Sequence, residues 1–101
     1  MSEITQGEGQ TTVLPSADIV AGEVKNFRAE LLKILEDGSK NITVDLSEVQ
    51  MIDSSGIGVF ISAQNSLKKN GGALKLVNVS SDIAKMFKIM RLDKHFEVNE
   101  K

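Results

Sequence analysis

The 101-residue chain is 41% hydrophobic and 26% charged, enough to bury one core and no more, so a single globular domain is the default. Its net charge of −2 and pI of about 5.3 argue against nucleic acid as a partner, because neutralising phosphates needs a basic surface. Zero cysteines exclude disulfides and thiolate metal sites. With no basic-then-apolar leader and no apolar run near the ~20 residues of a bilayer span, the chain reads as cytoplasmic, with no direct membrane insertion.

Residues 1–10 are polar, include Gly7 and Gly9, and show no apolar period, so they are expected to form a flexible N-terminal tail ahead of a domain spanning 11–101. Thr11-Thr12-Val13-Leu14 is β-prone and stops at Pro15, the only proline, which suits a short strand near a sheet edge. From Ile19 onward, Val20, Val24, Phe27, Leu31, Ile34 and Leu35 fall on one helical stripe, with Asp18 placed as N-cap and Gly38 just past the end. Ile42, Val44 and Leu46 then alternate with Thr43 and Asp45, the pattern of a strand covered mainly on one side.

After Met51-Ile52-Asp53-Ser54-Ser55-Gly56-Ile57-Gly58 the period changes from two to about 3.6, carried by Ile57, Phe60, Ile61 and Leu67. A helix following Gly56 should run to about Lys69 and end at Asn70-Gly71-Gly72. Ala73 to Val79 reads as a strand, and Ser80 and Ser81 are candidate caps for a helix from Asp82 to Met90. Phe96-Glu97-Val98 fits a last short strand. Strands alternating with helices imply an α/β fold, with a small mixed, mainly parallel sheet packed against amphipathic helices.

Little in the chain offers catalytic or cofactor chemistry. His95 has no second histidine with which to share a metal, and Asp45, Glu48 and Asp53 suit strand ends and caps as well as a paired-acid site. Gly71-Gly72 lacks the lysine of a phosphate loop, and Gly56-x-Gly58 lacks the third glycine of a dinucleotide fingerprint, so no cofactor is expected. Lys85, Lys88, Arg91 and Lys94 recur every three residues, as on a solvated helix face, with a partner-docking patch as the alternative.

Asp53-Ser54-Ser55-Gly56 differs in kind. Serine and aspartate are common caps, yet two hydroxyls where a strand hands over to a helix are also phosphate acceptors, and a phosphate there would meet unpaired N–H groups and the positive end of the helix dipole. Gly56 and Gly58 cost the first turn about 1 kcal/mol each relative to alanine, understandable if another backbone approaches there or if the helix packs closely on the sheet. Local chemistry does not separate Ser54 from Ser55.

At these residues the chain resembles the STAS domains, named for sulfate transporters and anti-sigma factor antagonists. The resemblance spans roughly residues 11–98 and rests on Ile42-Thr43-Val44-Asp45-Leu46-Ser47, on the run from Met51 to Gly58, on Asn70-Gly71-Gly72-Ala73-Leu74-Lys75-Leu76, and on Leu92-Asp93-Lys94-His95-Phe96. It implies an anti-sigma factor antagonist, a non-enzymatic switch phosphorylated on the serine directly after the aspartate. That residue is Ser54, with Ser55 as the alternative. The implied partners are an anti-sigma factor serine kinase, bound by the unmodified protein, and a serine phosphatase. The implied partner-binding residues are Asp53, Ser54, Ser55, Gly56, Ile57 and Gly58. Only one strand fits before Pro15, where the family usually has two, which points to a sheet without its first edge strand. That feature suits a second reading, a STAS adaptor subunit of a chemotaxis or membrane-transport assembly without regulated phosphorylation.

Overall fold

In the computed structural model, which describes residues 2–101, the chain runs β1 (Ser2–Gly7), β2 (Gln10–Pro15), α1 (Val24–Glu36), β3 (Asn41–Asp45), α2 (Ser54–Lys69), β4 (Ala73–Val79), α3 (Ser81–Ile89), a 3-10 turn (Leu92–Lys94) and β5 (Glu97–Glu100). The strands lie side by side in chain order, β1 antiparallel to β2 and every later neighbour parallel. Each parallel step moves one strand in the same direction, and right-handed crossovers then put all three helices on one face.

Ring contacts tie that helical layer together. Phe27 of α1 lies 5.6 Å from Phe60 of α2, and Phe60 lies 6.5 Å from Phe87 of α3 and 6.4 Å from Phe96. The geometry is edge-to-face, the arrangement that the ring quadrupoles prefer. Beneath the rings, Val13, Ile42, Val44, Leu74 and Leu76 are buried, while Thr12, Leu14, Thr43, Asp45 and Val77 on the opposite face are half-exposed. The α/β fold and the one-sided sheet therefore match the period-two pattern of β3.

The N-terminus does not. Where the sequence suggests a flexible tail, Ser2–Gly7 is a strand, paired residue by residue from Ser2↔Pro15 to Gly7↔Gln10; Met1 lies outside the described residues. Glu8 and Gly9 form the two-residue turn, with Gly9 at φ +67°, where a side chain would be strained. An edge strand held by a backbone ladder, with its side chains mostly in solvent, needs no apolar alternation. The sheet thus has its first edge strand.

A second difference concerns α1, which begins at Val24 rather than near Ile19 and has no side-chain cap. Ile19 forms an isolated parallel bridge with Ile52, which keeps its backbone extended. The chain turns through Val20, whose carbonyl accepts from the N–H groups of Glu23 and Val24. Only then does the helix start.

Candidate functional site

The parallel strands β2, β3 and β4 all end at the same edge of the sheet, and α1, α2 and α3 all begin there. Two connections crowd that edge, residues 16–23 and 46–53, and they are stitched to each other. Ile19 N–H donates to the Met51 carbonyl at 3.0 Å, and Asp53 N–H donates to the Ile19 carbonyl at 3.2 Å. Side chains complete the seam reciprocally. Asp18 Oδ1 accepts from the N–H groups of Gln50 (2.8 Å) and Met51 (3.2 Å), while Asp53 Oδ2 accepts from Ala21 N–H (2.9 Å).

Asp53 is also the N-cap of α2. Its extended backbone, φ −101° and ψ −175°, points Oδ1 at Ser55 N–H (2.9 Å) and Gly56 N–H (3.2 Å), and its carbonyl takes Ile57 N–H at 3.1 Å. The Ala21 N–H acts most strongly on the Asp53 carboxyl; desolvation opposes it, but with the N–H groups of Gly56 and Ser55 and the Ser55 hydroxyl added, the carboxyl is held below the usual carboxylate range. The unpaired N–H groups expected to receive a phosphate at this helix end are therefore already occupied by Asp53. Asp18, expected to cap α1, instead serves the facing connection.

Capping by Asp53 starts α2 at Ser54, two residues before Gly56, and so frees Ser54 from that duty. The Ser54 side chain is exposed and makes no hydrogen bond among the described residues. Ser55 is half-buried with its hydroxyl turned to Asp53, so the two serines, equivalent in the sequence, are not equivalent in space. Gly56 is buried, and a Cβ there would lie 2.6 Å from the Ile19 carbonyl oxygen and 2.7 Å from Ile19 Cγ2. Ile57 is buried as well. Gly58 faces solvent, and a Cβ at that position would have no neighbour within 4 Å.

Of the six residues assigned to partner binding, Ser54 and Gly58 thus lie open on the surface with Asp53 and Ser55 half-exposed beside them, whereas Gly56 and Ile57 are buried, Gly56 directly against Ile19 of the 16–23 connection. The same surface includes residues that sequence pattern does not assign to it: Met51, 60% exposed, and the exposed Ala21 and Gly22. Asp18 is the available signal, since a short acidic side chain before a β-branched residue serves a loop as readily as a helix.

The other candidates are not assembled into a site. Burial, which alone would raise the pKa of Asp45, is outweighed by the Ser47 N–H and the Asn78 side chain, which lower it. The His95 ring is exposed, and its carbonyl accepts from Gln64 Nε2. Among the described residues, no group of three His, Asp or Glu side chains is placed to hold a metal, and no helix is long and apolar enough to cross a membrane.

Comparison with known proteins finds the STAS domain family model matching residues 2–101. The anti-sigma-B factor antagonist of Bacillus subtilis is 29% identical over 99 residues, covering 98% of this chain and 90% of that protein. An anti-sigma factor antagonist from Mycobacterium paratuberculosis superposes with a TM-score of 0.88 at 19% identity, over 100% of this chain and 86% of that one. The Bacillus cell fate determinant SpoIIAA in its phosphorylated form gives 0.76 at 18% identity, covering 97% and 90%.

Proposed function

The chain belongs to the STAS domain family, and from that membership we propose that it is an anti-sigma factor antagonist: a cytoplasmic, non-enzymatic switch that binds an anti-sigma factor serine kinase and is released when Ser54 is phosphorylated. A serine phosphatase then restores the binding form. The observation that carries this reading is the state of Ser54, exposed, without a hydrogen bond among the described residues, and relieved of capping by Asp53. An acceptor hydroxyl must reach a kinase's active site, and this one costs the fold nothing when it is modified.

The occupied first turn gives the switch its character. A phosphoserine carries about −1.5 to −2 charges, and the nearby helix N–H groups are already bonded to Asp53. The dianion stays on the surface, beside a carboxylate that is itself held ionised. A partner that buries Ser54 must then bury unpaired charge; a loss of about 3 kcal/mol weakens binding more than a hundredfold. The scaffold is untouched, because no hydrogen bond among the described residues depends on the Ser54 hydroxyl.

Incubation with the cognate kinase and ATP, followed by mass spectrometry, tests the site. Phosphate is expected on Ser54; phosphate found on Ser55 alone overturns the assignment. Ser54→Asp is expected to lose kinase binding with an unchanged circular dichroism spectrum, and Ser54→Ala to bind without accepting phosphate. The adaptor reading draws on a missing first edge strand, and β1 removes that support. Persistent failure to incorporate phosphate would restore it.

A further inference from the structure

The sheet and the ring cluster bury Ile83, Ala84 and Phe87 of α3, yet the helix carries a wider apolar arc than that contact needs. Met86 is half-buried, Ile89 is 74% exposed and Met90 is 48% exposed. Spacings of three and four residues place these three side chains together on one flank. Around them stand Lys85, Lys88, Arg91 and Lys94, all exposed and none in an ion pair among the described residues. These cations outnumber the acids Asp82 and Asp93 in the same segment.

Arg91 adds a backbone observation. It ends α3 at φ 59°, ψ 26°, the left-handed region that favours glycine, so the chain holds a guanidinium at this corner against a conformational cost. Cations near a helix C-terminus are favoured by the dipole. That accounts for Lys88, but not for the exposure of Ile89 or for a long side chain at a position suited to glycine.

We propose that the C-terminal end of α3 is a second docking surface, which takes an acidic amphipathic segment of a protein partner: an apolar anchor seated on Met86, Ile89 and Met90, with flanking carboxylates on Lys85, Lys88 and Arg91. Charge selects this occupant. A second copy of the chain would set like charges against each other across a twofold axis. An anionic bilayer would meet only two well-exposed apolar side chains, with Asp82 ahead of the cations and Asp93 between Arg91 and Lys94. α3 starts at the edge where Ser54 stands and runs back for nine residues, so its far end lies about 13 Å away along the helix axis. Docking there is independent of the state of Ser54, and so goes beyond the switch described above.

The test is an NMR titration of the 15N-labelled full chain with a synthetic helical peptide bearing a leucine stripe flanked by glutamates, and with a control peptide carrying lysine at every glutamate. Saturable shifts are expected, confined to residues 85–94 and weakened by salt. Ile89→Glu, and separately Lys85→Glu with Lys88→Glu, should each weaken binding at least tenfold while the spectrum stays dispersed, and Ser54→Asp should leave it unchanged. Lack of saturation, an equal response to the lysine peptide, or shifts centred on Ser54 overturns the proposal. So does pelleting of the chain with phosphatidylserine vesicles that Ile89→Glu abolishes, or concentration-dependent dimerisation through the same residues.

Discussion

Two glycines near the start of α2, Gly56 and Gly58, should respond to alanine with opposite signs. At Gly56 the added methyl would stand 2.6 Å from the Ile19 carbonyl oxygen, 2.7 Å from Ile19 Cγ2 and 2.9 Å from Ile52 Cγ2. The oxygen has little freedom to retreat, because it accepts from Asp53 N–H while Ile19 N–H is held by the Met51 carbonyl. Forcing one methyl into packed structure costs about 1–3 kcal/mol, and alanine's better helix propensity returns about 1 kcal/mol. With three atoms inside 3.0 Å the upper end of that range applies, so a net loss of about 2 kcal/mol is expected, or roughly 8–16 °C in Tm for a domain of this size.

Gly58, two residues on, has open space where the methyl would go, so Gly58→Ala should gain about 0.5–1 kcal/mol through reduced backbone entropy of the unfolded chain. Thermal unfolding followed by circular dichroism, with urea titrations to check that m is unchanged, reads both variants. A Gly56→Ala protein as stable as the wild type would falsify the close-approach argument. A fall at Gly58 would remove the contrast.

Gln64 is buried and bridges α2 to its neighbours, donating to the His95 carbonyl at 2.6 Å and accepting Leu74 N–H at 2.8 Å. Gln64→Leu leaves both backbone groups orphaned and should cost about 2–4 kcal/mol in urea unfolding; a loss well under 1 kcal/mol would mean water fills the gap. For Asp53, the folded-state pKa lies below its ordinary 3.8, so its stabilising contribution is complete above that value and fades as pH falls through the lower, folded one. Melting curves taken down through pH 4 should show this acid-labile component in the wild type and not in Asp53→Asn. Arg91→Gly should raise stability by about 1 kcal/mol by relieving the left-handed backbone, an effect read as an increase in Tm.

Residue order alone reveals the elements whose side chains carry their own periodicity. The alternation of Ile42, Val44 and Leu46 defines a strand with one buried face, and the stripe through Phe27, Leu31 and Ile34 defines a helix, because burying one face of a regular element leaves that period in the residue types. The run from Met51 to Gly58 likewise marks the strand-to-helix handover and the family. What has no period is not legible: β1 is held by backbone hydrogen bonds, which any residue but proline can make, so Ser2–Gly7 looks like a tail until Gln10–Pro15 lies beside it.

The site divides the same way. Two adjacent serines and two aspartates are chemically interchangeable along the chain. Only the folded structure, by bringing the 16–23 connection against Asp53, decides that Asp53 is the cap, that Asp18 serves the opposite loop, that Ser55 is engaged and that the Ser54 hydroxyl bonds to nothing among the described residues. Local sequence sets which groups can bond; the partners each group finds come from segments some 30 residues away, and that long-range pairing is what separates one hydroxyl from the other.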